Sequence, residues 1–248
     1  MTGINKTSIH KKKLAEPISV AAHQLKNPIS IIKFYIEALS SEYFGKLNNK
    51  QKEYLADSLS NVHRMTKIVD YLLDVSKIEA NVYAVKPSKF DLTKLIADIV
   101  KDFFSWAEAS NSEIYFARPN KLPLAYADDH KIRQVIENLI SNAIKYKSEE
   151  RGKIVISLEK HGNFLLFSSR DNGIGIQDKD LKRVFSKFYR SEEAFAIDPS
   201  GSGLGLYINK AAVEASGGKI WLKHNESGKG VTFYFTVPIV KNNSKSPY

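Results

Sequence analysis

The sequence predicts an α+β protein in two parts, a long helical hairpin followed by helices layered on a largely antiparallel sheet. Three observations carry this. Apolar residues recur every seven positions through the first forty-odd residues, and a second run on 3–4 spacing follows a clear break. Beyond Pro87, short runs of period two alternate with helical patterns.

In the first helix Ile18, Leu25, Ile32 and Leu39 form one row, and Ala22, Ile29, Ile36 and Tyr43 form another four residues on. That is an a/d seam. The string "YFGKLNNKQ" ends it: Gly45 suits a helix terminus, and Asn48 with Gln51 three residues later reads as a capping box. The second helix carries Leu55, Leu59, Val62, Thr66, Val69, Leu73 and Ser76. Two antiparallel helices bury little alone, so the seam predicts a homodimer whose two hairpins form a four-helix bundle.

After the junction "NVYAVKPSKF", helices are predicted at about 91–109, 128–147, 178–185 and 203–216, with strands at 113–117, 153–160, 164–169, 219–224 and 230–237. "IVISLEK", "GN" and "FLLFSSR" read as a hairpin. In "GVTFYFTVP", Val231, Phe233, Phe235 and Val237 share one face. The predicted organisation is a basic segment over 1–13, a helical domain over 14–82, a second domain over 86–240 and a polar tail over 241–248.

Composition narrows the function. Cysteine is absent, which excludes a disulfide framework, a thiolate zinc site and a cysteine nucleophile. No stretch approaches the ~18 apolar residues of a membrane span, and the start lacks a signal-peptide core. A cytoplasmic chain, or the cytoplasmic part of a membrane-bound sensor, is expected, with no direct membrane contact. The net charge of +10 is diffuse: four lysines in 1–13, balance over 14–85, and a surplus of six beyond. A spread surplus does not make the stripe of a nucleic-acid binder, but it suits an anionic ligand such as a nucleotide.

Three segments of the second domain carry candidate chemistry. In "IRQVIENLISNAIKYK", Asn138 and Asn142 are four apart and Lys145 three further on, opposite Val135, Ile136, Leu139, Ile140 and Ile144. Such a face is either the wet side of an amphipathic helix or a grip for Mg²⁺ and polyphosphate. "RDNGIGI" is either a strand-ending turn or a purine site, with Asp171 accepting the exocyclic amine and Gly173 and Gly175 admitting the ring. "GSGLGL" opens a helix with glycines at 201, 203 and 205; its spacing is not the dinucleotide G-x-G-x-x-G, but a helix start can bind phosphate.

Together, and with "AAHQLKNPIS" ahead of them on a heptad helix, these segments resemble the sensor histidine kinases of bacterial two-component systems over roughly residues 14–240. "NLISNAIKYK" is similar to the N box, "DNGIGI" to the first glycine box, "FSKFYR" to the F box and "GSGLGL" to the second glycine box. The resemblance implies a dimerisation and phosphoacceptor hairpin followed by an α/β sandwich ATP-binding domain of the histidine kinase/gyrase type. It implies ATP and Mg²⁺ as ligands. His23 is then similar to the phosphoacceptor, on the solvent side of seam residue Ala22. Asn142 would be the main Mg²⁺ ligand with Asn138 beside it; Lys145 would bind phosphate and Tyr146 would line the site. Asp171 would fix adenine. Phe185 and Phe188 would anchor a lid over roughly 186–202 while also packing in the core, and Arg190 would help hold the terminal phosphate. Gly201, Gly203, Leu204 and Gly205 would supply the hinge and phosphate contacts.

The implied reaction is attack of His23 Nε2 on the γ-phosphorus of ATP, then transfer of the phosphoryl group to an aspartate of a response-regulator receiver domain. Gyrase-type relatives carry Glu at the position of Asn138 to activate water, which an amide does not do. Gln24 departs from the family's usual acid after the histidine: its carbonyl can orient the ring but brings no charge. Asn27 fits the position that places water for phosphatase action on the regulator. Two other readings compete. One is a non-kinase ATPase of the same superfamily. The other is a nucleotide-binding dimeric scaffold or phosphatase-only pseudokinase.

Overall fold

The computed structural model describes residues 4–148, 150–226 and 228–240; within the first helix, side chains are described from residue 20. The tail 241–248 and the side chains of Ile18 and the basic N-terminal segment lie outside the described residues. The chain divides into two compact units, Met1–Tyr83 and Ala84–Tyr248.

The first unit is a hairpin of α1 (Ile4–Ser40) and α2 (Asn49–Glu79). The seam splits into two rows. Ala22 and Ile29 are buried against Val62 and Val69 of α2, with Ile36, Leu72 and Leu73 packed beside them. The alternate row, Leu25, Ile32 and Leu39, stays exposed, and Tyr43 lies beyond the helix with 84% of its surface open. One hairpin therefore satisfies half the heptad pattern. The α2 start is the predicted capping box: Asn48 Oδ1 accepts from Gln51 N at 2.9 Å, and Gln51 Oε1 accepts from Asn48 N at 2.9 Å.

The second unit runs β1 (Ser88–Phe90), α3 (Leu92–Ala109), β2 (Ser112–Phe116), β3 (Ala125–Ala127), α4 (Asp129–Lys145), β4 (Gly152–His161), β5 (Phe164–Asp171), α5 (Glu192–Ile197), α6 (Gly205–Ala215), β6 (Ile220–His224) and β7 (Val231–Pro238). Five strands form one sheet in the order β2-β4-β5-β7-β6, antiparallel except for the parallel β2–β4 pair. The β4–β5 hairpin turns at Gly162 and Asn163, pairing His161 with Phe164. Its inward residues Ile154, Ile156, Leu158, Leu165 and Phe167 meet Val231, Phe233, Phe235 and Val237 of β7, all buried. Phe167 stacks on Phe235 with centroids 4.5 Å apart.

Helices α3, α4 and α6 cover this face. Asp91 and Asp128 cap α3 and α4, each carboxylate accepting from the backbone N–H three residues on. The α4 residues Val135, Ile136, Leu139, Ile140 and Ile144 are all buried, as their spacing predicts.

Three local features differ from the sequence reading. The segment 178–185 is not a helix but a chain of turns, bonded Asp180 N to Gln177 O, Arg183 N to Asp180 O and Ser186 N to Arg183 O. Val184 is buried and Phe185 sets its ring edge-on to Phe233 at 6.5 Å, so tertiary packing overrides helical composition here. The three-residue pair β1–β3 and the short α5 were not predicted. Both are too short to show a period.

Candidate active site

The three motif segments converge on one region of the second unit, and each contact has a local cause. Asp171 ends β5, and its carboxylate turns back on its own chain: Oδ1 accepts from Gly173 N at 2.9 Å and from Val231 N at 3.4 Å. Burial pushes the Asp171 carboxyl up to about 6, although these two N–H groups pull the other way. The β6–β7 connection backs the site. Asn225, buried, donates to Asp171 O at 2.6 Å and to Lys229 O at 2.8 Å, while its own Oδ1 accepts from Thr232 Oγ1. A side chain at Gly230 would run into the Asp171 carbonyl. Neither Asn225 nor Gly230 stood out in the sequence, where "HNESGKG" reads only as turn vocabulary.

The end of α4 joins the first glycine segment through the backbone. Tyr146, the C-cap of α4, accepts from Ile174 N at 3.0 Å, and a Cβ on Gly173 would strike the same carbonyl. Gly175 follows with φ of +76°. So "NAIKYK" and "DNGIGI" are held together at the mouth where Asp171 lies.

Asn138 faces the second glycine segment. The sequence places it on the wet side of α4, but only 8% of it is exposed, and its Nδ2 has no hydrogen-bond partner. A Cβ on Gly205 would sit 2.7 Å from that nitrogen, so a larger first residue of α6 would displace the Asn138 amide. Leu204 is 2% exposed; its side chain anchors the loop in the core, leaving its backbone as its contribution to a site. Gly203 has φ of +67°, with the backbone of Phe188 2.7 Å from where a Cβ would lie. Asn142 is half-exposed one turn along α4 from Asn138. Lys145, one turn further, reaches Asp198, with Nζ 3.2 Å from Oδ2.

The lid segment folds around one guanidinium. Arg190 Nη1 donates to Gly201 O at 2.9 Å and Pro199 O at 3.2 Å; Nη2 donates to Ala194 O at 2.8 Å and to Asp198 O. Its donors are directed at the lid's own carbonyls. Phe188 takes a positive φ of +60° and is 64% exposed, so of the two F-box rings only Phe185 packs against the core.

Asn138 and Asn142 offer amide oxygens, the hard donors that suit a magnesium ion shared with phosphates. The unpartnered Nδ2 of Asn138, beside the bare Gly205, is a donor and suits a phosphate oxygen, while only the amide oxygens could touch the metal. Among the described residues no three His, Asp or Glu side chains gather into a cage for a metal held by protein alone.

His23, Gln24 and Asn27 belong to the first unit. All three are exposed on α1, and His23 directly follows the buried Ala22. Lys26 beside them pairs with Asp70 of α2 at 2.9 Å.

Sequence comparison adds the family. Residues 14–81 match the His Kinase A (phospho-acceptor) domain model, and residues 127–241 match the histidine kinase-, DNA gyrase B-, and HSP90-like ATPase model. The chain belongs to the sensor histidine kinases. It is 34% identical over 227 residues to the sensor histidine kinase WalK of Bacillus subtilis, covering 90% of this chain and 36% of that one. It is 32% identical over 220 residues to cyanobacterial phytochrome A of a Nostoc species, covering 89% and 28%. The chain thus spans about a third of the length of the curated relatives it matches.

Solved structures agree. The isolated catalytic domain of histidine kinase ThkA is 30% identical, with a TM-score of 0.55, over 62% of this chain and 96% of that one. ThkA in complex with response regulator protein TrrA is 27% identical, with a TM-score of 0.61, over 95% of this chain and 64% of that one. No helix among the described residues is long and apolar enough to cross a membrane.

Proposed function

We propose that this chain is the phosphoacceptor and ATP-binding part of a sensor histidine kinase, transferring the γ-phosphoryl group of ATP to His23. The observation that carries the reading is the convergence of the three motif segments at one mouth of the ATPase-type unit: Tyr146 O, next to Lys145, accepts from Ile174 N beside Asp171, and Asn138 faces Gly205. Asp171, when ionised, accepts from the exocyclic amine of adenine. Gly173 and Gly175 let the backbone lie close to the base. Lys145 and the glycine-opened start of α6 bind the phosphates.

Asn142 and Asn138 would hold magnesium. When bound, that ion neutralises charge on the terminal phosphates. The chain's own part is positioning. His23, exposed on α1, presents the Nε2 lone pair of a neutral ring to the γ-phosphorus. The N–P bond forms as the bond from phosphorus to the bridging β–γ oxygen breaks; ADP leaves, and the Nδ1 proton is lost from the charged ring. Gln24 orients that ring through its carbonyl but does not take the proton.

The phosphoryl group then passes to an aspartate of a response-regulator receiver domain. A regulator partner is supported by the ThkA complex, in which a kinase of this family is bound to one. Asn27, exposed one turn beyond His23, would place water for the reverse, phosphatase direction. A homodimer is supported by the exposed row Leu25, Ile32 and Leu39.

Incubation with γ-labelled ATP tests the reading. Label that is acid-labile and base-stable, and that disappears in His23→Gln while ATP binding persists, is expected. Undiminished label in His23→Gln would reject the assignment.

A further inference from the structure

The proposed phosphate lysine is already paired with an acid from within the chain. Lys145 Nζ lies 3.2 Å from Asp198 Oδ2, and the other carboxylate oxygen is fixed by Ser200, whose N and Oγ donate to Oδ1 at 3.1 and 2.6 Å. Asp198 is the less exposed partner, its side chain 17% open. The residue is held in place from behind. Its N–H donates to Ala194 O at 3.2 Å, and its carbonyl accepts from Gly201 N at 3.2 Å and from Arg190. Arg190 ties the same stretch at Ala194, Pro199 and Gly201. The end of α5 and Asp198 after it are thereby tied into one turn that carries the carboxylate at its tip. The hydroxyl of Ser200, with Lys145, holds that carboxyl below its usual range, so it is anionic throughout neutral pH.

We infer that Asp198 is an internal competitor for the nucleotide phosphates, occupying Lys145 until ATP displaces it, with Arg190 and Ser200 as the positioning residues that aim it. The inference rests on the ATP-site reading above and goes further than it. Lys145 has three N–H donors, but a phosphate oxygen drawn to the same ammonium would come close to the anionic Asp198 carboxylate, and the two repel, so binding of one disfavours the other. Displacement also frees the turn that carries Asp198, which couples phosphate binding to rearrangement of the lid. Ligands bringing more phosphate charge to Lys145 displace the turn more readily.

Calorimetric titration with Mg·ATP of the wild type and of Asp198→Asn, Asp198→Glu and Asp171→Asn tests this. A partly exposed ion pair is worth little, so Asp198→Asn is expected to bind ATP only about three- to tenfold more tightly. Asp198→Glu, which keeps the charge, should stay near wild type. The salt dependence discriminates further. In the wild type, salt weakens both the ATP attraction and the competing pair, so its slope should be shallower than that of Asp198→Asn.

On the unmutated protein, the ¹³C resonance of the Asp198 carboxyl should move when a non-hydrolysable ATP analogue is added. This measurement does not depend on the variants folding. Equal or weaker binding by Asp198→Asn, with Asp171→Asn still losing affinity, overturns the competitor and leaves the ATP site standing. An unmoved Asp198 resonance overturns it too. A wild type that binds no ATP overturns both readings.

Discussion

Asp171 is asked to hold a charge where its surroundings disfavour one. Its carboxyl is pushed up to about 6 by burial, and the proposed contact with adenine's amine needs the ionised form. ATP affinity should therefore fall as pH drops through 6, by about tenfold at pH 5 relative to pH 7, and binding near pH 6 should release a proton. The sign for stability is opposite. The folded state holds this proton more tightly than the unfolded chain, so Asp171 favours folding fully below its ordinary pKa and loses that contribution as pH rises through 6. Asp171→Asn should remove the pH dependence and cost about 1.5–3 kcal/mol of binding at pH 7, read by calorimetry across pH.

On α1, the string "HQLKNP" carries two further expectations. Gln24→Glu supplies the missing base and should raise the initial labelling rate on the order of tenfold, with ATP affinity unchanged. A rate no faster than wild type would show that proton removal does not limit the reaction. Asn27→Ala should leave labelling intact while abolishing dephosphorylation of the regulator, because a methyl group does not position water.

At the scale of elements, the glycine-to-asparagine contact is the sharpest test of how the site is built. A methyl at Gly205 would lie 2.7 Å from the Asn138 amide, which is 8% exposed on a helix buried along its apolar face. Gly205→Ala should weaken Mg·ATP binding by roughly tenfold or more, while the melting temperature moves by only a few degrees. Equal affinity would mean that Asn138 is not at the nucleotide site. The α2 cap is a control in the other unit: Asn48→Ala should cost about 1 kcal/mol of hairpin stability, seen as a shift in thermal unfolding.

What was legible in the sequence follows from period and length. Helices α1 to α4 and α6, and the strands of the large sheet, have runs long enough to show which side is apolar. The segment 178–185 has helical residues but is bent into turns by the burial of Val184 and the ring contact of Phe185, neither of which a local pattern records. The candidate site was marked at Asp171, Lys145 and the glycines only by the joint order of three segments, each of which alone has an ordinary turn or surface reading; the structure brings those segments together. The burial of Asn138 was not, since it depends on the α6 start packing opposite, which no local pattern on α4 records. Asp198, Asn225 and Gly230 were invisible for a related reason: their roles come from partners 53 to 59 residues away.

For the whole molecule, the open half of the seam predicts association. Ile32 and Leu39 are exposed in the single hairpin although they stand in register with the buried Ile29 and the half-buried Ile36. Ile32→Asp places a charge from each copy in an apolar seam and should weaken dimerisation by about 100-fold or more, measured by sedimentation equilibrium. The second unit, whose core closes without the hairpin, should keep its ATP affinity in that variant.

The division of the chain at residue 83 has a kinetic corollary. On the proposed reading the ATP site and His23 lie on separate bodies joined by a few residues, so each would be present to the other at an effective concentration in the millimolar range, set by the tether rather than by the cell. Labelling in the intact chain should be first-order and indifferent to dilution. Cut at the junction, the same two bodies would react as strangers, at a rate proportional to concentration. The ratio of the two rates would read out the tether's contribution directly.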